Sequence, residues 1–484
     1  MTILEGLKPQ RVMYYFEEMS KIPRCSYDEQ RISDYLSNVG KALGLEVIQD
    51  KALNIIIRKP AYKGYENSPT VILQGHMDMV GEKTDSSNHD FSKDPIKLEV
   101  EGDYIIAKET TLGADNGIAV AMALAILESK DIPHPPLEVL ITSNEESGMT
   151  GAAALDPENI TGKILINIDS EEEGKILVSC AGGERNLITI PVEWNETLDD
   201  EDIYEIVVSG LKGGHSGMEI DKGRGNSNKI MGRVLERLNR SIDINLYHIE
   251  GGSKSNAIPR YAKAVISMEK ANIEKANLSI KEIEKELRFE LLSVDKDIEL
   301  SFTKTKDKKD RAFSKETTKK IISFLMLFPN GVYTMSMDIE GLVESSNNLG
   351  VVKTTDDSVT MESAIRSSVG SLKTYIADQI RLLAENLGAE WESTSSYPAW
   401  EYSRESYIRD IFKDVYKEIY NKDINIDAIH AGLECGLFKE KFVNMDMVSF
   451  GPNIYGVHAP GEKLSISSTE RSYNLLSKVL EKIH

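Results

Sequence analysis

The chain has 484 residues and carries 57 Lys+Arg against 78 Asp+Glu, a formal charge of −21. At about 100–200 residues per domain this length fits about two to four domains, and the composition (40% hydrophobic, 28% charged) excludes a disordered chain. The acidic balance argues against a nucleic-acid partner, and the longest apolar run, residues 118–127, is about half of what a membrane-spanning helix needs.

Residues 1–10 show no basic stretch followed by an apolar one, so no signal peptide is expected. Cys25, Cys180 and Cys435 lie far apart and form no CxxC, which suits a reducing cytoplasm. Residues 53–58 and 71–74 read as short buried strands, 117–127 as an Ala/Leu/Met-rich helix, Leu137–Thr142 and 163–168 as further strands. This alternation predicts an α/β fold with a mainly parallel sheet flanked by helices. From about residue 186 the texture changes. Strands at 203–211, 242–249, Ala262–Met268 and 298–302 alternate with helices at 228–239 and 273–292, a βαββαβ order of the ferredoxin-like kind. The basic run 304–311 reads as a solvated loop. A second pass follows, with a helix at Lys315–Leu327, strands through Arg366, a helix at 372–387 and a strand at 390–393. The expected organisation is a catalytic domain in two segments, 1–185 and 396–484, with an α+β lid domain of two ferredoxin-like halves inserted at 186–395. Residues 393–398 read as the returning linker, followed by helices at Tyr407–Tyr420 and 469–483.

Of eight histidines, His134, His248 and His484 read as structural and His89 as a loop residue. His76 differs. It follows a buried strand at the C-terminal end, where open α/β sheets place ligands, and the period of two sets Asp78 on its side. A carboxylate there would fix the tautomer of a metal-binding imidazole. Other loops at strand ends supply acids in the same way: Asp115 within Gly113-Ala114-Asp115-Asn116-Gly117, the pair Glu145-Glu146, and Asp169. His458 lies in a Gly/Pro-framed loop near the C-terminus. Any one acid could cap a helix, but so many at the ends of one sheet point to two metal ions. Asp115, Glu146 and Asp169 with a hydroxide balance two divalent cations, His76 and His458 being neutral donors. Zinc suits this set, with cobalt or manganese as alternatives. Adjacent Glu145 and Glu146 cannot both face one way in an extended segment, leaving one as ligand and the other as general base.

These motifs resemble the zinc aminopeptidase-like family that includes aminoacylase, carboxypeptidase G, tripeptidases and carnosine-type dipeptidases. Residues 16–24, Gly213-Gly214-His215-Ser216-Gly217, residues 221–226 and His430-Ala431-Gly432-Leu433-Glu434-Cys435-Gly436 resemble, within it, the bacterial aminoacyl-histidine dipeptidases. The resemblance implies that Asp115 bridges two metals, His76 and Asp169 complete one site, and Glu146 and His458 the other. It further implies that Asp78 orients His76, that Glu145 is the base and that a cis peptide follows Asp115. His215 would polarise the oxyanion, and Asn256, Arg366 and His430 would bind substrate, the Arg366 fork matching a dipeptide carboxylate. The implied activity is hydrolysis of dipeptides, of Xaa-His type and broader, by a metal-bound hydroxide. A tripeptidase, an N-acyl amino acid deacylase and an inactive metal-binding scaffold are the alternatives. Small peptides are the expected partners, and a homodimer is left open.

Overall fold

The computed structural model describes residues 3–196, 202–305, 311–442 and 444–484. The contacts divide the chain into two units. One comprises Met1–Ser179, Tyr402–Ala428 and Leu433–His484, the other Cys180–Glu401 and Ile429–Gly432.

The first unit is built on an eight-stranded sheet, ordered Glu46–Gln49, Ile55–Lys59, Leu137–Thr142, Val71–His76, Ile164–Asn167, Asp446–Ser449, Lys175–Cys180 and Asn425–Ile429. The four strands from Leu137–Thr142 to Asp446–Ser449 run parallel. On one side the hairpin Glu46–Lys59 pairs antiparallel with Leu137–Thr142, and on the other Lys175–Cys180 pairs antiparallel with Asp446–Ser449. The strands Val71–His76, Leu137–Thr142 and Ile164–Asn167 are buried at every residue, as central parallel strands covered on both faces must be. The segment Ala114–Glu128, non-helical at Asp115 and Asn116 and helical beyond them, is apolar all round its helical part and buried nearly throughout, so it fits only the interior. It packs on Val71–His76 so closely that a Cβ on Gly75 would lie 2.4 Å from the Asn116 side-chain oxygen and 2.9 Å from the Ala119 Cβ. A separate four-stranded sheet orders Ile454–Tyr455, Lys463–Ser465, Tyr104–Ala107 and Leu98–Glu101, and fixes the ends of the loop that carries His458.

The second unit holds a nine-stranded sheet with two interleaved ferredoxin-like halves. One half runs Asp202–Ser209, helix Ser227–Ser241, Asn245–Gly251, Ala262–Met268, helix Ile273–Glu290, Glu299–Lys304, and its strands stand in the spatial order 4-1-3-2. The other half runs Gly182–Pro191, helix Lys315–Leu327, Val343–Thr354, Ser358–Ser367, helix Gly370–Leu387, Glu390–Tyr397, and its strands stand in the same order reversed. The second strands of the two halves meet antiparallel, Glu250 opposite Lys353 and Gly251 opposite Val352. The first half is thus inserted after the first strand of the second, which sequence order alone concealed. One hydrophobic core, including Ile206, Met231, Leu235, Ile266, Phe324, Met361 and Ile380, spans both halves. The expected linker at 393–398 is instead largely strand. Glu390–Tyr397 pairs along Gly182–Pro191 as far as Tyr397 opposite Gly183. Of the basic run 304–311, residues 306–310 lie outside the described residues.

Candidate metal centre

The strand Val71–His76 extends two residues beyond its expected end and delivers His76, 1% exposed, at its C-terminus. The His76 Nε2 lies 3.2 Å from Asp115 Oδ1 and 3.4 Å from Asp169 Oδ1. Its Nδ1 faces Asp78, 3.4 Å from the carboxylate and 3.2 Å from the backbone carbonyl. On the other side of Asp115, His458 Nε2 lies 3.1 Å from Asp115 Oδ2 and 2.9 Å from Glu146 Oε2. Ligand atoms of three groups lie within 4.8 Å of one another: His76, Asp115 and Asp169; Asp115, Glu146 and His458; and His76, Glu145 and Glu146. The first two groups share Asp115, and all five expected ligands fall in them.

Glu145 and Glu146 correct one sequence expectation. Their segment is a turn, with Asn144 at φ 53° and the Met149 N–H donating to Glu145 O at 3.0 Å. Both carboxylates therefore reach the same group, which an extended segment would forbid. Asp78 holds the turn as well as His76: its carboxylate accepts from the backbone N–H of Glu145 (3.0 Å) and Glu146 (3.2 Å) and from the Ser26 hydroxyl (2.8 Å).

The Asp115–Asn116 peptide is cis. The Asn116 side chain joins two strand ends, accepting from His76 N at 3.1 Å and donating to Ile168 O at 2.8 Å. Two further residues that sequence reasoning did not assign grip the Asp115 loop. Glu462, 2% exposed, accepts from the N–H groups of Leu112, Gly113, Ala114 and Asp115 at 2.8, 3.0, 2.8 and 3.2 Å. Arg24, 3% exposed, donates to the carbonyls of Met77 (2.8 Å), Asp78 (3.2 Å) and Gly113 (2.5 Å). A Cβ at Gly113 or at Gly117 would come within 2.6 Å of its Nη2, so the guanidinium accounts for both glycines of the Gly-Ala-Asp-Asn-Gly motif.

The electrostatics fit a cation. Asp115, Glu145, Glu146 and Asp169 bring four carboxylates together, and among the described residues Asp115, Glu146 and Asp169 pair with His76 and His458 and with no lysine or arginine. Burial, reinforced by Asp169, Glu434 and Glu146, drives the Glu145 carboxyl well above its ordinary range against the pull of His76. Burial also raises Asp169, and it lifts Glu171 to about 7 with help from Asp115 and Asp169. Hydrogen bonds to Asp115 and Glu146 push His458 up to about 11. Burial opposes ionisation of Asp115, but its bonds to His458 and His76 hold that carboxyl below its usual value. Crowded carboxylates that must borrow protons are what divalent ions relieve. Two such ions would offset the four charges, and imidazole with carboxylate is a zinc-type donor set. Glu434 adds a buried acid, one oxygen bonded to Gln74 (2.6 Å) and Thr142 (2.7 Å), the other without a partner.

His215, Asn256, Arg366 and His430 lie in the second unit. His215 pairs with Ala257 across a short antiparallel bridge, and Asn256 O accepts from Ser216 N at 3.0 Å. The His215 Nδ1 accepts from the Met218 N–H at 3.1 Å, which leaves the proton of the neutral ring on Nε2. Burial and the Arg366 charge lower the His215 pKa, favouring that neutral ring. Arg366 Nη1 donates to the Tyr397 hydroxyl at 3.3 Å, while its Nε is buried without a partner. His430 Nε2 lies 2.7 Å from Ser346 Oγ, and burial drops its pKa to about 3. A Cβ at Gly217 would lie 2.6 Å from His430 O and 3.1 Å from both Arg366 Nε and the His215 ring, so these three groups converge on one glycine. Tyr397, also unassigned from sequence, has its ring against Gly183 and Gly432. Of the histidines read as structural, His134 Nδ1 lies 2.7 Å from Pro135 O, His248 Nε2 lies 3.2 Å from Glu250 Oε2, and the His484 ring stacks on that of Tyr65 at 4.6 Å.

The fold and the site define a metal-dependent peptidase architecture, and residues 72–482 match peptidase family M20/M25/M40, to which the chain belongs. The chain is 39% identical over 483 residues to the cytosol non-specific dipeptidase of Escherichia coli (strain K12), covering 100% of this chain and 99% of that one. The crystal structure of aminoacylhistidine dipeptidase from Vibrio alginolyticus superposes with a TM-score of 0.95 at 39% identity, covering 99% of this chain and 98% of that one. The aminopeptidase PepT from Bacillus cereus shares the fold at a TM-score of 0.57 and 18% identity, with 99% of each chain covered. The expected kinship with aminoacyl-histidine dipeptidases is thereby met.

Proposed function

We propose that this chain is a dipeptidase that hydrolyses Xaa-His and other dipeptides, with two divalent metal ions, zinc by preference, as cofactor. The observation that carries the reading is the pair of ligand groups sharing Asp115, with Glu145 in the third group beside them. His76, Asp115 and Asp169 would hold one ion, and Asp115, Glu146 and His458 the other. Bound there, the ions would polarise the peptide carbonyl and lower the pKa of a water molecule. Glu145 takes the proton from the attacking water and returns it to the leaving amine. Asp78 keeps His76 and the Glu145–Glu146 turn in register through its bonds to both. In this reading the second unit acts as the lid. His215 offers its Nε2–H to the oxyanion, the unpaired side of Arg366 takes the substrate carboxylate, and Asn256 and His430 complete the substrate contacts. Kinship at 39% identity with two dipeptidases supports the substrate class, and the Escherichia coli relative, a cytosol dipeptidase, supports a cytosolic location. Among the described residues no helix is long and apolar enough to cross a membrane.

The test is hydrolysis of an Xaa-His dipeptide, a tripeptide and an N-acyl amino acid by wild type and by Glu145→Gln. The proposal expects dipeptide preference, and a loss of about 10²–10⁴ in kcat for the variant with its metal content unchanged. Equal rates for wild type and variant would refute the role of Glu145. Preference for the N-acyl substrate would refute the dipeptidase reading.

A further inference from the structure

The Asp115 loop is held from both sides by buried charges that touch no expected ligand side chain. Arg24 binds its carbonyl face and the carbonyls of Met77 and Asp78, and so ties the loop of Asp115 to the loop of His76. Glu462 binds its N–H face. Glu462 also closes the segment that carries His458, its own N–H donating to Ala459 O at 3.2 Å. Each charge therefore joins a different pair of ligand-bearing loops: Arg24 the pair His76/Asp115, Glu462 the pair His458/Asp115. Both are almost fully buried, which is costly for a charge unless its hydrogen bonds are satisfied. Both find their partners in backbone groups, so position of the backbone is what they enforce.

We propose that Arg24 and Glu462 are two separate positioning residues, Arg24 setting the spacing of the metal position shared by His76 and Asp115, and Glu462 that of the position shared by Asp115 and His458. The inference rests on the dinuclear reading above and adds a division of labour between residues outside the ligand set. The substitution Glu462→Gln keeps the shape but replaces one acceptor oxygen with an NH₂ group facing backbone donors. The His458-side position then loosens while the His76-side position, still gripped by Arg24, does not.

The experiment is a calorimetric zinc titration of the metal-free full chain, comparing wild type and Glu462→Gln, each alone and combined with His458→Ala. We expect Glu462→Gln to weaken one of two ions about 10–100-fold, leaving the other within about twofold. In the His458→Ala background it should add no further loss. Hydrogen exchange of the amides of residues 112–115 in the metal-free chain should accelerate in Glu462→Gln. Equal weakening of both ions, no weakening, or full additivity with His458→Ala would overturn the proposal. Should Glu462→Gln not fold, Arg24→Lys combined with His76→Ala supplies the mirror test, with the loss confined to the other ion. A wild-type chain that binds fewer than two ions would refute the dinuclear reading instead, and unchanged exchange at residues 112–115 would still count against the clamp by itself.

Discussion

Replacing Asp78 with asparagine removes one charged oxygen from a carboxylate that serves three loops at once. The native group accepts from Glu145 N, Glu146 N and Ser26 Oγ at 3.0, 3.2 and 2.8 Å, and faces His76 Nδ1 at 3.4 Å. Hydrogen bonds to a charged group contribute about 1.5–3 kcal/mol each, and a buried donor left unmatched costs about 1–3 kcal/mol. In Asp78→Asn the new NH₂ must oppose at least one backbone N–H of the Glu145–Glu146 turn, since both carboxylate oxygens are occupied by donors. A loss of about 2–4 kcal/mol in the stability of the first unit follows, together with a fall of about 10–100-fold in ion affinity because His76 loses its orienting partner. Urea unfolding of the metal-free proteins reads the first effect as a lower midpoint at unchanged slope. A zinc titration reads the second. A variant that unfolds with the wild-type midpoint and binds zinc with wild-type affinity would refute the argument that one carboxylate organises both His76 and the glutamate turn.

Asp103 accepts from Ser465 Oγ (2.8 Å), Ser467 Oγ (2.7 Å) and Ser467 N (3.0 Å) at the start of the helix Ile466–Lys482, and these bonds, with Ser467 first, outweigh desolvation and lower its pKa. A carboxyl depressed on folding stabilises above its unfolded pKa of about 3.9 and loses that contribution as pH falls through the folded value. Asp103→Asn should cost about 0.5–1 kcal/mol at pH 7, discounted for exposure, with the gap to wild type closing below about pH 4; a gap that is constant with pH in urea unfolding would contradict this. Gly217→Ala places a methyl 2.6 Å from His430 O and 3.1 Å from Arg366 Nε, so KM for dipeptides should rise while zinc content stays at the wild-type level; steady-state kinetics with metal analysis decides, and an unchanged KM would remove these groups from substrate binding. Chelation should lower Tm, because an ion at about 1,000 times its Kd stabilises the folded state by about 4 kcal/mol, and it should do so less in His76→Ala, which keeps only the position of Asp115, Glu146 and His458. Differential scanning calorimetry of wild type and His76→Ala with and without chelator checks this, and a chelator shift as large in His76→Ala as in wild type would count against the centre.

Three of the candidate ligands stood out because each follows an element whose pattern is strong: a run of apolar residues, then His76, Glu146 or Asp169. The geometry follows from the parallel sheet, which brings neighbouring C-terminal ends together. Arg24 and Glu462 were not legible as partners of the Asp115 loop, since they act on backbone groups 89 and up to 350 residues away and nothing in their local sequence specifies which carbonyls or N–H groups they meet. Their trace was indirect, in the two glycines that make room for the guanidinium. The second ferredoxin-like half was only partly legible, because its first strand, Gly182–Pro191, precedes the whole first half. The same limit applies to His430. Its segment, Ile429–Gly432, belongs with the second unit although the chain on both sides of it belongs to the first. Short returns of this kind carry no periodicity that would mark them.

The central claim is that Asp115 is shared by two metal positions that together with Glu145 cleave dipeptides. Its most direct test is metal content per chain, measured by mass spectrometry on protein purified with zinc, beside the rate of Xaa-His hydrolysis for wild type, Asp115→Asn and Glu145→Gln. The account predicts two ions and activity for wild type, loss of both ions and activity for Asp115→Asn, and two ions without activity for Glu145→Gln. An active Asp115→Asn variant, or an active wild-type protein without bound ions, would contradict it.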